Sequence, residues 1–200
     1  MSSVRRGLGI FGGTFDPPHI GHIAAAVEVR SALDLDEVLL MVANEPWQKV
    51  GRRTLSSASD RMAMTERAVL GLERIRASDL EIRRGGTTYT IDTLEQLRTD
   101  APETPIFLIV GADAAADLHS WHRHEELPAM ATLVIVERNG ERSPIPAGDW
   151  EIERVSMPRL DISSSDLRDR FRRNEELAPY VPLAVIDEIR NRGLYGLSDS

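Results

Sequence analysis

The chain of 200 residues contains no cysteine. Thiolate catalysis, cysteine-ligated zinc and disulfide cross-links are therefore excluded. Long apolar runs are missing too: no segment approaches the roughly 20 consecutive apolar residues that span a bilayer. The opening Met1-Ser2-Ser3-Val4-Arg5-Arg6 leads into a short strand and a glycine pair, without the h-region and cleavage site of a secretory leader. A cytoplasmic protein that binds no membrane is the expectation. Basic residues are in deficit, 24 Lys and Arg against 32 Asp and Glu, for a formal charge of −8. Broad nucleic-acid binding draws most of its affinity from a basic face, so that class is disfavoured. A phosphorylated small molecule is not, because the local field of a pocket can oppose the global charge. Two phosphate-binding patterns are absent as well. G-x-x-x-x-G-K-[ST] occurs nowhere, and Gly7, Gly9, Gly12 and Gly13 do not make G-x-G-x-x-G.

What is present is an alternation of apolar runs and helical patterns. Leu8–Phe11, Val38–Val42, Ile106–Val110 and Thr132–Val136 read as buried strands, Ile75–Ile82 as a charge-interrupted one and Ile152–Val155 as a short last one. Between them Ile20, Ile23, Ala24 and Val27 step through one helix face, in a helix that fades near Leu33. Ser57-Ala58-Ser59-Asp60 is a capping-box pattern that opens a helix with Ala58, Met62, Thr65, Val69 and Leu72 on one face. Ile91, Leu94 and Leu97 mark another helix. Ser163–Ser165 begin one through Phe171, and Pro182 begins one through Arg190 that Gly193 stops. The expected fold is α/β and Rossmann-like, a doubly wound, mostly parallel sheet with helices on both faces. It is expected to occupy residues 1–200 as one domain, with 158–200 a helical portion packed on it. Ligands of such folds bind at the C-terminal ends of strands. Loops at Gly12, Asn44, Gly85 and Gly111, each expected to follow a strand, and the loop at Ser163 would meet on that rim.

The most informative stretch is Gly12-Gly13-Thr14-Phe15-Asp16-Pro17-Pro18-His19-Ile20-Gly21-His22. Glycines admit a ligand close to backbone N–H groups, and a helix N-terminus favours anions. His19 and His22 stand three apart, so a helical first turn aims both the same way. A phosphate cradle with two titratable donors is the result. Asp161-Ile162-Ser163-Ser164-Ser165-Asp166-Leu167-Arg168 is a second candidate: exposed hydroxyls, free N–H groups and Arg168 would make another anion site, although Ser163 and Asp166 also fit a capping box.

Gly-Gly-Thr-Phe-Asp-Pro-x-His-x-Gly-His resembles the signature of the His-x-Gly-His nucleotidyltransferases, and within them the bacterial-type nicotinate and nicotinamide mononucleotide adenylyltransferases. Three further elements resemble the same family in the same order: Thr87-Thr88-Tyr89-Thr90-Ile91-Asp92-Thr93-Leu94, Gly111-Ala112-Asp113 followed by Leu118 and Trp121, and Ile162 to Arg168. The resemblance implies transfer of AMP from ATP to nicotinate mononucleotide, giving nicotinate adenine dinucleotide and pyrophosphate in NAD biosynthesis. Such a reaction rests on positioning and charge stabilisation, with Mg²⁺ bridging the ATP phosphates and no nucleophilic side chain. It assigns His19, His22, Lys49 and Arg168 to catalysis, with at least one imidazole protonated in the working complex. Gly12, Gly13, Thr14, Phe15, Gly111, Asp113, Ile162, Ser163 and Ser164 join His19, His22 and Arg168 around ATP. Asp16, Asn44, Lys49, Thr88, Tyr89, Thr90 and Trp121 are assigned to the mononucleotide, Trp121 by stacking on its pyridine ring. No side-chain metal site is expected. Asn44 to Lys49 departs from the family's usual Pro-x-His-Lys element through Trp47 and Gln48. Phosphopantetheine adenylyltransferase, a nicotinamide-preferring enzyme and a non-catalytic nucleotide sensor are the competing readings. A homo-oligomer is compatible with the sequence, which identifies no interface.

Overall fold

The structure, a computed structural model, describes residues 6–46, 55–138 and 143–196. Six strands form one sheet: β1 (Leu8–Gly13), β2 (Glu37–Val42), β4 (Ile75–Ser78), β6 (Ile106–Gly111), β7 (Thr132–Arg138) and β8 (Ile152–Met157). Their order is β4-β2-β1-β6-β7-β8, and every pairing is parallel. A second, two-stranded parallel ladder joins β3 (Glu45–Pro46) to β5 (Thr87–Thr88). That small ladder had no sequence signal, because two-residue strands carry no period.

Strands buried on both faces need apolar residues at every position, and alternate positions must feed two different cores. Val38, Leu40, Ile109, Val134 and Val136 face one core, which α1 (Ile20–Ala32) covers with Ala25, Ala26 and Val29. Ile10, Met41, Leu108, Val110, Leu133 and Ile135 face the other, which α4 (Thr90–Asp100) covers with Ile91 and Leu94. A third cluster lies between α2 (Ala58–Val69), α6 (Ser164–Arg172) and α7 (Leu183–Asn191), centred on Met64, Ala68, Leu167, Phe171, Val185 and Ile189. No helix among the described residues is long and apolar enough to cross a membrane.

Three expectations are corrected. Ile75–Ile82 is not one strand: β4 ends at Ser78, and α3 (Leu80–Arg84) follows. The Ser78 hydroxyl accepts from the Leu80 N–H at 3.4 Å, and Arg83 reaches back to Asp79 at 2.9 Å, so polar residues that looked like interruptions open and staple a helix. The loop at Gly85 accordingly follows a helix rather than a strand. In α2 Thr65 and Val69 are buried as expected, but Arg61, Met64 and Ala68 complete that face while Ala58 and Met62 are half-buried, and Leu72 lies beyond the helix. A buried arginine hid that face from hydrophobic counting. In α1 the fully buried positions are Ala25, Ala26 and Val29, whereas Ile20, Ile23, Ala24 and Val27 are half-buried. Small residues let α1 lie close on the sheet.

The chain leaves β1 toward β2 and β4, then returns to β6 on the opposite side of β1. The crevice between the C-terminal ends of β1 and β6 is thus the switch point where such sheets bind ligands.

Candidate active site

Two adjoining clefts open there. The larger, of about 480 Å³, has Thr14, His19, Asp113, Ile162, Ser163 and Arg168 in its wall. The smaller, of about 350 Å³, is bounded by Pro46, Glu81, Thr88, Thr90, Thr93 and Trp121. Phe11, Gly12, Thr14, His22, Gly111 and Ala114 belong to both, so the two clefts meet at one rim.

β1 delivers the chain into this rim. A Cβ on Gly13 would meet the Phe15 ring at 2.6 Å, whereas one on Gly12 or Gly111 would meet nothing within 4 Å. Gly13 is therefore required by packing, and the other two leave room for a ligand. Phe15 turns back with φ 51° and is 2% exposed. Its ring meets His22 edge-on at 5.1 Å, so it supports that imidazole from below.

His19 and His22 stack with centroids 3.7 Å apart. The His22 Nδ1 accepts the His19 backbone N–H at 3.2 Å, which puts the proton of the neutral ring on Nε2. His19 is 7% exposed, and its Nδ1 has no hydrogen-bond partner among the described residues. Burial lowers its pKa from 6.5 to about 4. Without a phosphate His19 is thus neutral at physiological pH, and any positive charge on it must come with the ligand.

At the opposite wall Ser163 caps α6: its Oγ accepts the Asp166 N–H at 3.1 Å and donates to the Asp166 carboxylate at 2.8 Å. Ser164 donates to the Pro17 carbonyl at 2.9 Å, and Ser165 accepts from Arg168 at 3.3 Å. The serine hydroxyls expected to be exposed are therefore engaged with protein partners. What they leave facing the cleft is the α6 N-terminus. Arg168, 6% exposed, also donates to the Asp16 carbonyl.

The mononucleotide assignments divide. Thr88, Thr90 and Trp121 do wall the smaller cleft, and the buried Trp121 Nε1 has no partner among the described residues. Asp16 instead lines the larger cleft. Asn44 acts as a brace: its N–H donates to Thr88 Oγ1 and its side-chain amide to the Gly86 carbonyl, both at 2.9 Å. Tyr89, expected to border the pyridine pocket, lies outside the cleft wall with its ring 4.3 Å from that of His122. As the N-cap of α4 its backbone sets where Thr88 and Thr90 point. Lys49, with Trp47 and Gln48, lies outside the described residues. Among the described residues no group of three or more His, Asp or Glu side chains is placed to hold a metal ion.

Four positions in or beside the clefts were not singled out by the sequence. Arg61, 1% exposed, donates to the carbonyls of Ser56, Thr14, Ala43 and Asn44 at 3.0, 3.1, 2.6 and 2.8 Å. It therefore ties the β1 and β2 loops together. Glu81, 5% exposed, accepts from Thr93 at 2.7 Å in the floor of the smaller cleft, and burial raises its pKa. Arg138 lines the larger cleft and pairs with Asp161 at 3.7 Å. Tyr195 donates to Asp16 at 2.7 Å. Arg61 and Glu81 sit on helical faces, where a charge among apolar neighbours was the one available signal.

The sheet's switch point thus gathers a histidine pair, a helix N-terminus and a buried arginine around one cleft, a set of groups suited to phosphates. Residues 10–170 match the Cytidylyltransferase-like family. The chain is 44% identical to a probable nicotinate-nucleotide adenylyltransferase of Frankia casuarinae, over 92% of this chain and 97% of the relative. It is 42% identical to another of that name in Acidothermus cellulolyticus, over 100% and 99% of the two. The fold also matches Plasmodium falciparum nicotinic acid mononucleotide adenylyltransferase complexed with NaAD, with TM-score 0.77, 21% identity and 96% and 98% of the two chains covered. The chain belongs to the nicotinate-nucleotide adenylyltransferase family, the adenylyl-transferring enzymes of NAD biosynthesis.

Proposed function

We propose that this protein transfers the adenylyl group of ATP to nicotinate mononucleotide, and that the two clefts hold the two substrates. The observation that carries this reading is the shared rim: a cleft of about 480 Å³ and a smaller one walled by Trp121 meet at Gly12, His22 and Gly111. In the reaction a phosphate oxygen of the mononucleotide bonds to the α-phosphorus of ATP. The bond from that phosphorus to the β-phosphate bridging oxygen breaks, and pyrophosphate leaves with the electron pair. Negative charge grows on the bridging and equatorial oxygens, so donors fixed in advance lower the barrier.

His22 supplies an Nε2–H donor at the rim. A triphosphate beside His19 raises its depressed pKa and restores a proton, turning the stacked pair into a clamp on the leaving side. Arg168 and the α6 N-terminus provide charge and N–H groups from the facing wall. Trp121 stacks on the pyridine ring, with Thr88 and Thr90 beside it. Mg²⁺ enters with ATP as part of the substrate. Residues 158–200 belong to the same domain as a helical portion, and the cytoplasm is the setting we assign. The deciding experiment supplies ATP, Mg²⁺ and either nicotinate or nicotinamide mononucleotide and follows pyrophosphate release. Turnover with the acid is expected; none with either mononucleotide refutes the proposal, and preference for the amide reassigns the acceptor.

A further inference from the structure

Glu81 is the one carboxyl among the described residues that wall the smaller cleft, and His22, at the shared rim, is the other ionisable group there. A carboxyl only 5% exposed needs a nearby cation or several hydrogen bonds to stay charged. Glu81 has one hydrogen bond among the described residues: the Thr93 hydroxyl donates to its Oε1 at 2.7 Å. Arg84 donates to that hydroxyl at 3.0 Å, so the guanidinium reaches Glu81 through Thr93 rather than as an ion pair. Oε1 is thus engaged, and Oε2 is the oxygen left for a ligand. Burial raises the pKa of Glu81; the Thr93 hydroxyl and Arg84, on its own helix α3, oppose that, and Asp92 on α4 adds to it. None of the strands adds a charged side chain to this wall.

The two pyridine mononucleotides differ in one substituent, a carboxylate or a carboxamide. A protonated Oε2 donates to a carboxylate, whereas an ionised one repels it and accepts from the N–H of an amide. We infer that Glu81 is a specificity-determining residue: its Oε2, fixed in place by the Thr93 bond to the other oxygen, hydrogen-bonds the pyridine substituent in the smaller cleft and selects the acid when it carries a proton. The inference rests on the proposed seat of the pyridine ring against Trp121. As pH rises and that proton leaves, the nicotinate form loses a donor and meets a like charge, while the nicotinamide form gains an acceptor.

The test is kcat/KM for each mononucleotide, with ATP and Mg²⁺ saturating, from about pH 6 to about pH 9. Taking the acid-to-amide ratio cancels the titration of groups that act on both substrates alike, His19 and the phosphates included. In the unmodified protein the ratio is expected to fall roughly tenfold or more across that range, the effect of losing one charge-assisted hydrogen bond. In Glu81→Gln the side-chain oxygen still accepts from Thr93 and the N–H donates to the carboxylate at every pH. Its ratio should therefore be flat, and roughly tenfold above that of the unmodified protein at about pH 9. A flat ratio in the unmodified protein, or a pH dependence that persists in Glu81→Gln, overturns the inference. So does a variant with lower Tm in which both kcat/KM values fall together, the mark of a structural role. If Glu81→Gln does not fold, the profile of the unmodified protein decides alone. Absence of turnover with both mononucleotides refutes the proposed reaction. The ratio is then read from calorimetric Kd values of the two mononucleotides: a ratio that ignores pH refutes this inference separately, and binding of neither refutes both.

Discussion

Arg61→Met removes the guanidinium at the base of the site while keeping much of the apolar stem. Four carbonyl acceptors lose their donor: those of Ser56, Thr14, Ala43 and Asn44. A hydrogen bond is worth about 1 kcal/mol net, and more when one partner is charged. Four of them give roughly 4–6 kcal/mol. Against this, methionine needs no charge buried, which returns about 1–2 kcal/mol of the desolvation cost. The expected destabilisation is about 2–5 kcal/mol, a large part of the roughly 5–15 kcal/mol that holds a domain folded. At about 3 °C per kcal/mol for a chain of this size, Tm falls by roughly 10 °C. The carbonyls belong to the loops carrying Thr14 and Asn44, so kcat/KM should fall by about a hundredfold at temperatures where the variant is still folded. Arg61→Lys supplies one compact ammonium in place of the fork and should fall between the two. Calorimetric unfolding and steady-state kinetics on the three proteins make the check. A Tm drop below about 2 °C with wild-type activity would show that the loops hold themselves and would refute the assignment.

Three further outcomes follow from the same geometry. His19 has a folded pKa near 4 against 6.5 when unfolded, so the unfolded chain binds more protons between those values. Its contribution is complete above pH 6.5 and is lost as pH falls, about 2 kcal/mol of it by pH 5; denaturant unfolding of His19→Asn should lack this slope, and parallel profiles count against the burial argument. His22→Ala should lower kcat by roughly 10²–10³ with a Tm change of only a few degrees, and an equal loss of stability would make the ring a packing element. Trp121→Ala should raise the mononucleotide KM about tenfold and that for ATP less than about twofold; the reverse order removes the stacking role.

The legible part of the fold was its periodicity. Runs such as Val38–Val42 and Ile106–Val110 are apolar at successive positions because both sheet faces are covered, as in buried parallel strands generally. Where polar residues do structural work the pattern failed. Ser78 and Asp79 begin α3 through local hydrogen bonds, so the charges that blurred a strand were marking its end. In the candidate site, the pairing of His19 and His22 was legible because their spacing places both in one helical turn, and the grouping of Thr88, Thr90 and Trp121 at one cleft followed the family resemblance. The Tyr89 ring lies against His122, a direction that resemblance, which carries only a residue type, does not give.

Local chemistry, then, is what the amino-acid order determines: strand runs, helix caps, the glycine turn and the histidine pair within eleven positions. Tertiary structure alone decided the long-range partners, since hydrogen bonds between Arg61 and Asn44, or between Tyr195 and Asp16 across 179 positions, depend on where the sheet brings distant loops. It also decided charge. His19 carries the same side chain in any context, but only burial beneath the rim lowers its pKa to about 4 and makes its proton conditional on a ligand.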